Sequence, residues 1–270
     1  MAEHNVTVES TLDALLAEKK YPTIRDILIT MNPADIASVF DSMEEERLPL
    51  LFRLLPKELA AETFVEMEPE AQELLIRGFS DSELKEVIDE LYVDDAVDIV
   101  EEMPANVVQR ILSQAEPDMR KQINEILRYP EDSAGSIMTT EYVSLRPNMT
   151  VGEAILRIRR TGIDKETIYT CYVTRGHKLI GLTSVKDLLL CEDDDATIES
   201  IMQEHVITVS TLDDKEQVAQ MFSKYNFLAL PVVDTENRLV GIVTFDDAMD
   251  VMEDEATEDM EKMAAMLPSE

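Results

Sequence analysis

Gly181-Leu182-Thr183-Ser184-Val185-Lys186-Asp187 and Gly241-Ile242-Val243-Thr244-Phe245-Asp246-Asp247 are one phrase written twice. Each opens on a glycine, runs through a short apolar strand, and reaches a hydroxyl residue and then an aspartate at a helix start. The match extends outward in both directions. Ser136-Ile137-Met138 lies over Ser200-Ile201-Met202, and the β-prone run Tyr142–Leu145 lies over Val206–Val209. A helix is expected after each run. Thr150 with Glu153, and Asp213 with Glu216, have the spacing of a capping box. Apolar strands Tyr169–Thr174 and Phe227–Asp234 come next, and then the turns into Lys178-Leu179-Ile180-Gly181 and Arg238-Leu239-Val240-Gly241. Strands alternating with helices predict an α/β or α+β unit, present in two copies.

The ending of each unit has a chemical reading. A hydroxyl and the first-turn N–H groups of a helix can hold a phosphate, and the aspartate can accept from two ribose hydroxyls. The plainer reading is that Ser184 and Thr244 are helix N-caps.

Residues 10–128 read differently. They contain a single glycine, Gly78, and helix formers with apolar residues at spacings of three and four. Helix starts recur at Asn32-Pro33-Ala34-Asp35, Leu55-Pro56-Lys57-Glu58, Ser80-Asp81-Ser82-Glu83, Tyr92-Val93-Asp94-Asp95 and Met103-Pro104-Ala105. Proline at the first helical position and an acid in the first turn are physical start signals. Short helices at this spacing cannot bury their apolar faces singly, so they stack into a superhelix. Tyr129-Pro130-Glu131-Asp132-Ser133-Ala134-Gly135 marks the boundary with the duplicated half.

With 24 Lys+Arg against 57 Asp+Glu, the formal net charge is −33. Such a chain repels nucleic acid and anionic headgroups, and its natural small partners are cations. Cys171 and Cys191 have no metal-ligand spacing, which suits a reducing compartment. The N-terminus lacks the basic and apolar regions of a signal peptide. No apolar run approaches the roughly 20 residues that cross a bilayer. An enzyme is not expected, because no nucleophile–base constellation, phosphate-cradling glycine loop or histidine cluster is present.

The charge is concentrated. From Asp246 to Glu261 there are nine acids and no Lys or Arg, and Asp247, Asp250, Asp254, Glu258 and Glu261 recur at spacings of three and four. Two carboxylates about 5 Å apart repel by about 3 kcal/mol at an effective dielectric of about 20. A cation between them relieves that repulsion. Loosely opposed carboxylates suit hydrated Mg2+, which keeps most of its waters. The other reading is a solvated acidic helix. A second acid group stands at Asp94, Asp95 and Asp98, with Glu101 and Glu102 beyond.

The duplicated units resemble tandem CBS domains, a Bateman module, over about residues 137–255. The whole chain resembles the cytosolic part of the MgtE family of magnesium transporters. A helical superhelix, Tyr-Pro-Glu-Asp-Ser-Ala-Gly-Ser-Ile-Met-Thr from Tyr129, two CBS units, and Asp-Glu-Ala-Thr-Glu-Asp from Asp254 carry that resemblance. It implies an α+β multidomain chain with an all-α N domain (1–130), CBS units at 137–200 and 201–255, and the start of a connecting helix at 256–270, leading to a membrane pore outside this chain.

The resemblance also implies a function. The protein would sense Mg2+ at the cytoplasmic face of the membrane, as a homodimer through its CBS domains. The ion would bridge the acidic faces of the N domain and the second CBS unit. Metal ligands would be Asp94, Asp98, Asp247, Asp250, Glu255, Glu258 and Asp259. ATP is the candidate second ligand, at Tyr169, Lys186, Asp187 and Phe227, with Asp187 on ribose and Lys186 near phosphate. One departure is Asn226, where the family often carries an acid. Two other readings stand beside this one: a soluble adenine-nucleotide sensor acting on another protein, and an acidic adaptor for a basic partner.

Overall fold

The computed structural model describes residues 2–266, with the side chains of 2–7, 164, 259, 261 and 264–266 outside the description. It divides into two compact units, Met1–Lys121 and Gln122–Glu270.

The first unit is helical throughout. Its elements are α1 (Ala2–Ala17), α2 (Tyr21–Leu28), α3 (Pro33–Asp41), α4 (Leu48–Phe52), α5 (Lys57–Val65), α6 (Pro69–Gly78), α7 (Asp81–Ile88), α8 (Val93–Glu102) and α9 (Ala105–Gln114). Next, α10 (Pro117–Ile126) runs into the second unit. Side-chain chemistry sets several starts. Asn32 accepts from the Ala34 N–H at the head of α3. Ser80 and Glu83 form a reciprocal capping box at the head of α7. Pro33 and Pro69 occupy first helical positions, but Pro56 and Pro104 stand one residue earlier, as the N-cap residues of α5 and α9. Their expected place inside the helix is corrected by one residue, because a proline can end the extended entry as readily as it begins the turn.

Stacking follows the repeat. The α3 helix packs on α5, α5 on α7, and α7 on α9, while α4 packs on α6. Each helix thus buries its apolar stripe against the next turn of a superhelix. Phe52, Phe64 and Phe79 join three successive turns, with ring centroids 5.4 to 6.4 Å apart. Arg53 ties the same turns outside the core, donating to Glu83 at 2.7 Å. That bond, with the capping contacts from Ser80, holds the Glu83 carboxyl down to about 2.

The second unit holds the duplication. The first copy comprises β1 (Tyr142–Leu145), α11 (Val151–Thr161), β2 (Thr167–Arg175), β3 (Lys178–Ser184) and α12 (Val185–Leu190). After α13 (Ile198–Ile201), the second copy comprises β4 (Val209–Ser210), α14 (Lys215–Tyr225), β5 (Ala229–Val233), β6 (Leu239–Thr244) and α15 (Phe245–Met266). Each copy is a three-stranded sheet, with a parallel first pair and an antiparallel second pair. Thr150 and Glu153 form the expected capping box. The second copy departs from its expected box. Asp214, not Asp213, caps α14 by accepting from Gln217 N–H, while Asp213 accepts from Ser210 N–H at 2.8 Å. Two adjacent aspartates offered the same cap, and each is used for one task, Asp214 at the helix and Asp213 at the turn before it. The strand expected at Val206–Val209 is confined to Val209–Ser210, and that expected at Phe227–Asp234 to Ala229–Val233.

Each copy is completed by the chain that precedes the other. Thr139 exchanges both backbone hydrogen bonds with Ile242, and Gln203 does the same with Leu182. So the arm before the first copy pairs with the last strand of the second, and the arm before the second pairs with the last strand of the first. The cores agree: Ala134 and Met138 are buried in the second copy's core, and Ile198 in the first copy's, with Met202 packed against it. The two glycines of the duplicated phrase make this possible. A Cβ at Gly181 would lie 2.9 Å from the Gln203 carbonyl oxygen and 2.7 Å from the Met202 sulfur. At Gly241 it would lie 2.8 Å from the Thr139 oxygen and 2.6 Å from the Met138 sulfur. Among the described residues no helix is long and apolar enough to cross a membrane.

Two outcomes are expected. Gly241→Ala should cost about 3 kcal/mol, because backbone is the obstacle; thermal unfolding should show the loss in the second unit, with the helical unit's transition unmoved. Glu83→Gln should cost about 1 kcal/mol at neutral pH. Because the folded pKa lies below the ordinary 4.5, the native Glu83 contributes fully above that value and loses its contribution as pH falls toward 2. The variant and native stabilities should therefore converge in acid, as measured by urea melts across that range.

Candidate functional site

The last strand of the second copy turns directly into α15, a 22-residue helix. It begins at Phe245 and runs unbroken through Asp250 and the expected 255/256 boundary. Its register fixes which acids face water. Ala248 and Val251 are buried in the second copy's core, and Met252 packs beside them. Asp246, Asp250, Asp254 and Glu258 recur every fourth residue and are all exposed. Asp247 and Glu255 sit instead on the flank nearer the core and are only partly exposed. The side chain of Asp259 lies outside the described residues.

Asp247 is in an unusual position. The Thr244 N–H donates to its Oδ2 at 3.1 Å, and the Thr244 hydroxyl also donates to it. Those bonds favour the carboxylate. Loss of hydration at the packed root of α15 outweighs them, with Asp246 and Asp250 adding like charge, and the pKa is pushed up to about 6. The Glu255 carboxyl is pushed up as well, first by partial desolvation and then by Glu216 on α14 and by Glu258. Glu258 itself pairs with Lys262 at 2.5 Å.

In the helical unit, Asp94 and Asp95 lie in the first turn of α8, where the helix dipole favours negative charge. Asp94 is buried, at 5% exposure, and its Oδ1 accepts from the Asp95 N–H at 3.1 Å. Asp98, one turn on, is exposed. Among the described residues no three Asp, Glu, His or Cys groups converge as a preformed metal cage. Asp98, Asp250 and Glu258 are exposed carboxylates on helix surfaces, which is the chemistry of a hydrated hard cation rather than of a dehydrated one.

The nucleotide candidates gather at one end of the first sheet. Thr170 pairs with Ser184, so Tyr169 stands just past the pair that starts α12, and is 66% exposed. Lys186 and Asp187 lie in the first turn of α12 and are exposed. Ser184 is a working cap: its Oγ accepts from the Asp187 N–H at 3.0 Å, and Asp187 Oδ2 accepts from Ser184 N–H and Oγ. These bonds use Oδ2, which leaves Asp187 Oδ1 for an outside hydroxyl. Phe227 is elsewhere. It packs in the second copy's core, with its ring 6.4 Å from Phe222 and 5.3 Å from Tyr225. Ala229 pairs with Thr244 as Thr170 pairs with Ser184, so the counterpart of Tyr169 is Leu228, which is 60% exposed. Sequence matching missed Leu228, because an exposed leucine beside a phenylalanine carries no signal until the strand register is known.

Asn226 has a local reason. It caps α14 in the left-handed region, at φ 55°, and its N–H donates to the Phe222 oxygen at 2.8 Å. Asparagine tolerates that backbone better than a glutamate would.

A helical-repeat domain followed by two copies that complete one another, with an acidic helix leaving the second, defines a CBS-pair protein with a helical N domain. Family comparison agrees: the MgtE intracellular N domain matches residues 31–132, and the CBS domain matches 134–192 and 198–254. The chain is 38% identical to the magnesium transporter MgtE of Thermus thermophilus over 261 residues, covering 95% of this chain and 58% of that protein. It is similar to a crystal structure of the cytosolic domain of the Mg2+ channel MgtE in complex with ATP. That likeness has a TM-score of 0.84 and 37% identity, and covers 90% of this chain and 99% of the other. A crystal structure of the soluble part of a magnesium transporter matches at TM-score 0.84 and 32% identity, over 93% and 99%. The chain belongs to the MgtE family. It spans a little over half the length of the Thermus relative.

Asp247 gives a direct test of the electrostatics at the root of α15. Its pKa, about 6 against an ordinary 3.8, means that ionising it opposes folding by about 3 kcal/mol at most. Native stability should therefore rise as pH falls through about 6 toward 4. Asp247→Asn, which keeps the acceptor for Thr244, should melt higher than the native chain at pH above that value in metal-free buffer. The advantage should shrink as the medium is acidified.

Proposed function

We propose that this chain is the Mg2+-sensing regulatory portion of a magnesium transporter, working at the cytoplasmic face of the membrane. The observation that carries the proposal is the exposed stripe Asp246, Asp250, Asp254 and Glu258, on a helix whose opposite face is anchored in the second CBS core by Ala248 and Val251. A change of charge on that stripe acts on a rigid element rather than on a loop. The MgtE relatives, named as magnesium transporters and as an Mg2+ channel, support the choice of ion.

In this reading Asp94 and Asp98 of α8, with Asp247, Asp250, Glu255, Glu258 and Asp259 of α15, are the sensing carboxylates. At low Mg2+ the two acidic faces repel. When hydrated Mg2+ lies between them, the repulsion is replaced by bridging, and the compact state is favoured by the difference in ion affinity between the two states. Helix α15 then carries the change toward a pore domain that lies outside residues 1–270, through the connecting segment 256–270. The functional divisions are the N domain at 1–130 and the CBS units at 137–200 and 201–255, and the CBS units pair two copies of the chain as a homodimer. ATP is the second ligand, held by Tyr169, Lys186 and Asp187, and the packed position of Phe227 removes it from that set. The free Oδ1 of Asp187 supports its ribose role, and a relative crystallised with ATP supports the class of ligand.

Small-angle scattering tests the switch. The radius of gyration should fall between chelator and millimolar Mg2+, and the double variant Asp250→Asn, Asp254→Asn should need about tenfold more Mg2+ for the same change. An unchanged radius would overturn the proposal. Calorimetry with ATP should show binding that weakens about tenfold or more in Asp187→Ala. ATP binding without any response to Mg2+ would instead favour a nucleotide sensor acting on another protein.

A further inference from the structure

The far end of the first sheet carries an opposite charge. Arg146 comes just after β1, Arg157 and Arg160 project from α11, and Arg175 and His177 stand at the β2–β3 turn. They line two adjoining open cavities of about 690 and 620 Å3 that share Arg146, Asn148 and Arg157. The first sets three guanidiniums against one carboxylate, Glu153. The second sets three against Glu199.

In a chain of net charge −33, such a cluster is anomalous. Five arginines elsewhere are neutralised: Arg47, Arg53, Arg77, Arg110 and Arg238 each hold a carboxylate. Arg146, Arg157 and Arg160 hold none among the described residues, though acids outnumber bases more than twofold. The nearest acids are occupied. Glu153 Oε2 accepts from the Thr150 N–H at 3.0 Å as part of its capping box, and Glu199 pairs with Arg175 at 2.6 Å. The dipole of α11 accounts for a cation in its last turn, such as Arg160. It does not account for Arg146, which lies off the helix, or for Arg157. Arg157 is also held in place: its Nε donates to the Ser144 oxygen at 3.0 Å, and the residue lines both cavities.

We propose that this groove is an anion site for a ligand carrying two or more phosphate groups. Guanidiniums match phosphate oxygens in paired hydrogen bonds, and three of them spread over two cavities fit two phosphates better than one. The site is separate from the nucleotide candidates. Tyr169 and Asp187 lie at one end of β2 and Arg175 at the other, and the run from Tyr169 to Arg175 spans about 20 Å at about 3.3 Å per residue. The source of the phosphates is either a soluble polyphosphate or a phosphorylated lipid headgroup, and the shared chemistry is the same.

The test uses the whole chain in chelator-free, metal-stripped buffer, with pyrophosphate as probe. Arg146 and Arg160 are exposed, and their side chains make no hydrogen bond or ion pair among the described residues, so Arg146→Gln with Arg160→Gln, which keeps the backbone bonds of both, should melt like the native chain. Calorimetry should show saturable pyrophosphate binding that weakens at least about tenfold in the double variant and is unchanged in Asp187→Ala. In parallel, flotation with neutral vesicles and with vesicles containing a phosphoinositide identifies the source. Capture by the phosphoinositide vesicles alone, lost in the double variant, supports the site with a lipid ligand. The proposal is overturned if neither probe binds, if the double variant binds as the native chain does, or if Asp187→Ala abolishes binding.

Discussion

The second unit depends on two places where backbone meets backbone with no room for a side chain. At Gly181 the arm carrying Met202 and Gln203 lies against β3, and at Gly241 the arm carrying Met138 and Thr139 lies against β6. Each contact closes a pair of backbone hydrogen bonds on an otherwise open strand edge. Each also brings a methionine into the core of the copy that does not come next in sequence. Neither copy is whole without the chain preceding the other, so the two fold as one body. A third cluster, with Tyr172, Leu179, Ala229, Val233, Leu239 and Ile242 at its centre, closes the space between the sheets.

That shared body explains how duplicated sequence serves unlike ends. Both copies finish with a hydroxyl cap and an aspartate at a helix start, and both aspartates accept from that hydroxyl. Helix α12 then stops after six residues, and Asp187 stays exposed. Helix α15 continues for 22 residues, and packing of Ala248 and Val251 holds Asp247 where hydration is poor. The same local motif therefore gives an accessible carboxylate in one copy and a poorly hydrated one in the other. The length and packing of the helix beyond the motif make the difference.

Charge is segregated in a related way. The acid stripe of α15 and the arginine groove of the first copy lie in one body without neutralising one another. Glu153, the acid best placed to quench the arginines, is bound to its helix N-terminus instead. Capping thus does electrostatic duty beyond the helix it starts, by keeping a carboxylate from its nearest cations.

The sequence by itself determined the helical first half, the duplication, the two glycines, and the acidic character of the last helix. Those features are local: helix periodicity, start signals and repeated spacing are written in consecutive residues. Tertiary structure decided the rest. The duplicated phrase could not reveal that each arm crosses to the other copy, because exchange is a matter of which edges are left open. It could not tell Asp246 from Asp247 on the acidic helix, since only packing of Ala248 and Val251 fixes which of two neighbours meets water. It misaligned Phe227 with Tyr169, because strand register, set by the pairs Thr170–Ser184 and Ala229–Thr244, put Leu228 there instead. The arginine groove was beyond sequence reading altogether, for its members come from a strand end, a helix face and a hairpin turn that only the folded sheet brings side by side.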